Sequence, residues 1–138
     1  AMADSPVGVA AWISEKFHAW SDLDDGNIES VYSKDELLTN IMIYLVTDSF
    51  STASWIYYGR REEGGRIFSA DGARVEVPTA AAVFPEEMLA WPPRTYVDRL
   101  YNIQQWSEFA RGGHFAALEQ PEALIKDVQK FGRSINLA

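Results

Sequence analysis

The sequence predicts an α/β fold, and only the closing part of one. Helical and β-type patterns come in the order helix, helix, strand, helix or loop, strand, helix. Two strands are too few for an independently stable sheet of ordinary size. The last stretch, strand, glycine turn and helix, looks like the end of an α/β sheet whose other strands lie elsewhere.

Each element has its own signal. Asp4-Ser5-Pro6 is a helix start, with a capping residue and a proline near the first turn. Residues 7–20 place Val9, Trp12, Ile13, Phe17 and Trp20 at helical spacing, with Ser14, Glu15 and His18 on the polar side. Residues 21–27 form a polar loop, and His18 is expected to be solvated. Ser33 stands three residues before Glu36, the spacing of a capping box. A helix over residues 35–50 is apolar around much of its circumference and is expected to be largely buried.

Residues 49–54 are small and polar, and Trp55-Ile56-Tyr57-Tyr58 is an aromatic cluster. Residues 59–72 are charged and glycine-rich, the composition of a surface loop. Val75-Glu76-Val77-Pro78 leads into residues 80–84, a short β-type run ended by Pro85. Trp91-Pro92-Pro93-Arg94 interrupts regular structure. Residues 100–110 read as a strand, bounded by Gly112-Gly113. Residues 121–131 form an amphipathic helix with Leu124, Ile125, Val128 and Phe131 on one face.

Composition narrows the function. With 47% hydrophobic and 23% charged residues, the 138-residue chain has a globular composition rather than a disordered one. A net charge of −8 argues against nucleic acid and anionic membranes as partners. There are no cysteines, so disulfides, thiolate metal sites and cysteine nucleophiles are out; a cytoplasmic location is the expectation. No apolar run has the length of a membrane span, and no secretory leader is evident. The two histidines lie far apart without a ligand-spaced cluster, so no metal site is expected. Neither glycine pair matches a phosphate-binding loop, and no cofactor is expected.

Gly112-Gly113-His114 lies between the last strand and the last helix. Catalytic groups in open α/β sheets gather outside the carboxyl ends of the strands. Two glycines allow the sharp turn that would place an imidazole there. The segment Gly112-Gly113-His114-Phe115-Ala116-Ala117-Leu118-Glu119-Gln120-Pro121-Glu122 resembles the histidine segment of microsomal-type epoxide hydrolases of the α/β-hydrolase fold. Asp4 to Ile13, with Glu15-Lys16-Phe17 and Trp20, resembles that family's cap helix. Leu37 to Tyr44 resembles its next helix. Val77-Pro78-Thr79, Ala82 and Phe84-Pro85-Glu86-Glu87 resemble the strand leading to its acid. The four segments stand in family order across nearly the whole chain.

The resemblance implies a two-step reaction. An aspartate opens the epoxide and becomes esterified, and a histidine held by a carboxylate activates the water that hydrolyses the ester. Tyrosines polarise the epoxide oxygen. On this chain His114 takes the place of the base. Glu87, 27 residues before it, is the choice for its acid partner, with Glu86 the alternative. Tyr57 is the choice for a ring-opening tyrosine, with Tyr58 the alternative. Glu119 and Glu122 are expected to be caps and first-turn charges of the last helix.

The sequence also departs from the family. Ala80 replaces a loop glycine, and Trp55 stands where an arginine is common. No glycine-rich strand-to-helix turn that would present the nucleophile is found. The expected organisation is a cap-derived segment over residues 1–58 and the C-terminal part of the hydrolase core over residues 59–138. The expected substrate is a small apolar or aromatic epoxide. The expected partner is a complementary N-terminal half or a second copy, the isolated chain being inactive. Two rivals stand beside this. One is a non-catalytic fragment acting through pairing; the other is a different α/β-hydrolase, such as an esterase or haloalkane dehalogenase.

Overall fold

The computed structural model describes residues 4–64 and 73–136. They divide into two compact units. One holds the N-terminal helices; the other joins residues 20–22 to everything from residue 71 onward. The boundary expected after residue 58 falls inside a helix.

The helical unit contains α1 (Pro6–Ala19), α2 (Lys34–Val46) and α3 (Phe50–Glu62). Ser5 starts α1: its Oγ accepts the Gly8 N–H at 3.1 Å, and Pro6 takes the first helical position, where no N–H is needed. Val9, Ile13 and Phe17 form its buried stripe, spaced by four residues. The polar-side His18 is exposed, and its Nε2 lies 3.0 Å from the Gly26 carbonyl. Residues 24–30 make two short 3₁₀ turns, after which Tyr32 packs edge-on against Phe17, ring centroids 5.0 Å apart.

The capping box is complete. Ser33 Oγ accepts the Glu36 N–H at 3.2 Å, and Glu36 Oε2 accepts the Ser33 N–H at 2.8 Å. The Ser33 N–H, and then the Ser33 hydroxyl donating to the same oxygen at 2.8 Å, hold the Glu36 carboxyl below its ordinary range. α2 then stops at Val46, four residues before the expected end. Asp48 adopts a left-handed φ of +49°, and the Ser49 N–H reaches back to the Tyr44 carbonyl at 3.1 Å. α2 is not largely buried. Ile41 is its one buried residue, while Met42, Ile43 and Val46 are exposed. A helix apolar on several sides needs neighbours on each of them, and within this unit it packs against α1.

α3 covers the polar 49–54 stretch and the aromatic cluster, which carry no clear helical signal. Its small hydroxyls bond within the helix: Thr52 Oγ1 donates to the Ser49 carbonyl at 3.0 Å and Ser54 Oγ to the Ser51 carbonyl at 2.8 Å. Polar residues therefore cost the helix little. The loop expected over residues 59–72 begins as the last turn of α3; residues 65–72 lie outside the described residues.

The second unit contains β1 (Val75–Val83), α4 (Arg94–Leu100), β2 (Tyr101–Glu108), α5 (Ala116–Glu119) and α6 (Pro121–Ser134). β1 and β2 are parallel, pairing Ala80 with Gln105 and Val83 with Glu108. Parallel neighbours need a crossover, and α4 lies in it. The proline pair keeps residues 91–93 irregular, but Arg94 already opens α4, with Pro93 as its cap. Pro78 cannot donate to the ladder, and the register shifts beside it.

α6 lies against both strands. Gln105 and Ser107 reach it from β2, donating to the Asp127 carbonyl at 3.1 Å and to Asp127 Oδ1 at 2.5 Å. Phe84 and Phe109, each just past the end of a strand, stack with centroids 4.4 Å apart. Because the strands are parallel, both chains leave the sheet at the same carboxyl edge, and the candidate site is built there. Among the described residues no helix is long and apolar enough to cross a membrane.

Candidate active site

The segments that follow β1 and β2 are joined by their backbones. The Phe109 N–H donates to the Val83 carbonyl at 2.9 Å, and the Glu86 N–H donates to the Gly112 carbonyl at 3.1 Å. A bridge between Glu86 and Gly113 extends the sheet by one step beyond its regular end. Residues 84–93 belong to no helix, so Glu86 and Glu87 lie in extended backbone beside the bridge.

This bridge brings His114 and Glu87 together. His114 Nδ1 lies 2.7 Å from Glu87 Oε1, at the geometry of a charge-assisted hydrogen bond. Glu87 Oε1 also accepts the Met88 N–H at 2.8 Å, which fixes the carboxylate from its own backbone. An ionised carboxylate only accepts, so Nδ1 is the donating nitrogen of this contact, and in the neutral ring that leaves the lone pair on Nε2. The neighbouring Glu86 contributes its backbone to the bridge. The Trp20 ring meets the imidazole edge-on, with centroids 5.1 Å apart.

The histidine turn is tightly held. Gly112 has a φ of +111°, a conformation that disfavours side chains. Gly113 has no room for one: a Cβ there would lie 2.6 Å from the Trp20 carbonyl oxygen and 2.9 Å from that of Glu86. Asp22 Oδ2 accepts the Gly112 N–H at 2.8 Å and the Arg111 Nε–H at 3.1 Å. The Arg111 hydrogen bond, then that of Gly112, holds the Asp22 carboxyl below its ordinary value, with burial partly opposing.

Glu119 corrects an expectation. It does not cap the last helix; it turns back into the histidine turn. Its Oε2 accepts the Asp22 and Gly113 N–H groups, each at 2.8 Å, and its Oε1 accepts the Phe115 N–H at 2.8 Å. The spacing of Glu119 before Pro121 suits a cap equally well, so the sequence carries no signal for this role. Asp22, in a loop nearly a hundred residues away, carries none either.

Tyr57 lies on α3 in the helical unit. There it lines an open cavity of about 150 Å³, together with Trp12, Ile13, Tyr44, Phe50 and Ile56 among others. Both tyrosines are exposed, but Tyr58, the alternative, does not line that cavity. Among the described residues no group of three or more His, Asp or Glu is placed to hold a metal ion.

A parallel-sheet edge carrying an imidazole with a carboxylate behind it is the closing part of an α/β-hydrolase. Solved structures agree. The juvenile hormone epoxide hydrolase of the silkworm Bombyx mori superposes with a TM-score of 0.84 at 31% identity, covering 98% of this chain and 33% of that one. The Aspergillus niger epoxide hydrolase superposes with a TM-score of 0.71 at 26% identity, over 96% of this chain and 31% of that one. Epoxide hydrolase 1 of Sus scrofa is 41% identical over a 136-position alignment that covers 95% of this chain and 30% of the relative. Epoxide hydrolase 1 of Oryctolagus cuniculus is 40% identical over a stretch of the same length. No family model matches. Over nearly its whole length the chain is similar to one part of the epoxide hydrolases of the α/β-hydrolase fold. It spans about 30% of the length of the curated relatives it matches.

Proposed function

We propose that the chain supplies the hydrolytic half of an epoxide hydrolase, an enzyme that opens an epoxide to a vicinal diol through an ester to the protein. The observation that carries this is the 2.7 Å contact between His114 Nδ1 and Glu87 Oε1 at the carboxyl edge of the sheet. Glu87 orients the ring and stabilises the imidazolium. Nε2 takes a proton from water as that water attacks the ester carbonyl. The carboxylate nucleophile comes from an N-terminal part of the kind its relatives have. Tyr57 donates from its phenol to the epoxide oxygen while the C–O bond breaks, so that no free alkoxide forms. The helical unit is cap-derived, and the strands and α6 belong to the hydrolase core.

The partner is that N-terminal part. Exposed apolar residues support this: Trp55, Ile56, Leu89, Ile125 and Val128 are each more than half accessible. Surfaces of this kind belong against other protein. An open strand edge points the same way. The aromatic lining of the Tyr57 cavity suits an apolar or aromatic epoxide.

The test is reconstitution. The purified chain should convert no styrene-oxide-type epoxide to diol. Activity should appear when a nucleophile-bearing N-terminal part of an epoxide hydrolase is joined to it or mixed with it. A complex that forms but stays inactive would make the chain a pairing module without catalytic use.

A further inference from the structure

Four consecutive backbone N–H groups, from Gly112 to Phe115, are all bonded, and none of them to the backbone of a helix or strand. Gly112 donates to Asp22 Oδ2, Gly113 to Glu119 Oε2, His114 to the Trp20 carbonyl and Phe115 to Glu119 Oε1, each at 2.8 Å. Glu119 thus grips the residues on both sides of His114 with one carboxylate. It reaches the third point with Oε2, which also accepts the Asp22 N–H at 2.8 Å. An ionised carboxylate has about four acceptor sites and no donor, so it alone among side chains of this size satisfies three converging amides. Gly113 shows how close the parts come, since any Cβ would meet the Trp20 and Glu86 carbonyls. The ring of His114 is left to turn mainly about its own side-chain bonds, with Glu87 at one nitrogen.

We infer that Glu119 is a positioning residue for the hydrolytic step. It ties the Trp20-Ser21-Asp22 segment to the turn on either side of His114, and so sets where Nε2 meets the ester. This rests on His114 being the base. Glutamine fills the same space but presents an NH₂ group to one of the three amides, so Glu119→Gln loses at least one bond and gains a donor–donor clash. A displacement of the ring by about 1 Å costs up to about 100-fold in rate.

The experiment follows both steps in the chain assembled with a nucleophile-bearing N-terminal part. Glu119→Gln should leave ester formation unchanged and slow ester hydrolysis about 10- to 100-fold. In combination with His114→Gln it should slow hydrolysis no further. Hydrolysis at the wild-type rate, or equal slowing of both steps, would overturn the positioning role. If His114→Gln alone accumulates no ester, it is the base assignment that fails. Should Glu119→Gln not fold, the unaltered chain decides by NMR. The amides of Asp22, Gly113 and Phe115 should exchange with solvent together, as one opening event, and the His114 ring signals should report the same opening. Independent amides or an indifferent ring would overturn the inference.

Discussion

Gly113→Ala tests whether the histidine turn is held by close backbone contact. The added methyl would sit 2.6 Å from the Trp20 carbonyl oxygen, 2.9 Å from that of Glu86 and 3.1 Å from the Asp22 nitrogen. All three lie inside the roughly 3.5 Å at which non-bonded heavy atoms rest. All three are backbone atoms, so no side chain can rotate away. Overpacking by one carbon in a tight site costs about 1–3 kcal/mol, and fixed neighbours put this case at the upper end. Relief requires moving the segment that accepts the His114 N–H or the one that bridges to Glu86. Local opening of residues 112–115 should therefore become easier by about 3 kcal/mol, or roughly 100-fold in amide exchange. Hydrogen exchange read by mass spectrometry on the peptide spanning this turn measures it. Gly59→Ala is the control: its Cβ would meet nothing within 4 Å, and it lies inside α3. That change should leave the turn untouched and favour the helix by about 0.5–1 kcal/mol. Exchange at the turn within threefold of wild type after Gly113→Ala would refute the packing argument.

Further outcomes follow from the same geometry. In the assembled enzyme Tyr57→Phe should slow ester formation about 10²–10⁴-fold, while Tyr58→Phe should have little effect; rapid-quench mass measurement separates them, and the reverse result would move the role to Tyr58. The chain alone at micromolar concentration should be self-associated or should bind a hydrophobic dye strongly; a monomer by native mass with low dye binding would contradict the exposed faces. Asp22 has a lowered carboxyl value, so its hold on the turn is fully present above the ordinary value of about 3.9 and is lost as pH falls through the lower one. Protection of the Gly112 amide, corrected for intrinsic rates, should be flat from pH 7 to 5 and fall only below about pH 4. A loss centred near pH 6 would point to an imidazole instead.

Much of this was legible in the residues, and the exceptions have physical causes. Caps and periodicity gave α1, α2 and α6 because those signals are local, and Ser5, Ser33 and Pro121 act within one turn. α3 was missed because its hydroxyls and aromatics have weak helix preference; backbone carbonyls accept the hydroxyls, and the large side chains stay exposed. The end of α2 was missed because Asp48 takes a left-handed turn without a glycine to announce it. The meeting of His114 with Glu87 followed from family likeness and spacing. The roles of Asp22 and Glu119 are absent from any local pattern. They depend on a loop 90 residues before the glycine turn returning to it.

The division of labour between ring opening and ester hydrolysis is tested most directly by one mass measurement. His114→Gln, in the chain assembled with its nucleophile-bearing part, is mixed with epoxide and the intact protein is weighed over time. The nucleophile-bearing part should gain the mass of one substrate molecule and keep it, while wild type shows no lasting gain. Protein that never gains mass, or that gains and releases it at the wild-type rate, would contradict the assignment of His114 as the base of the hydrolytic step.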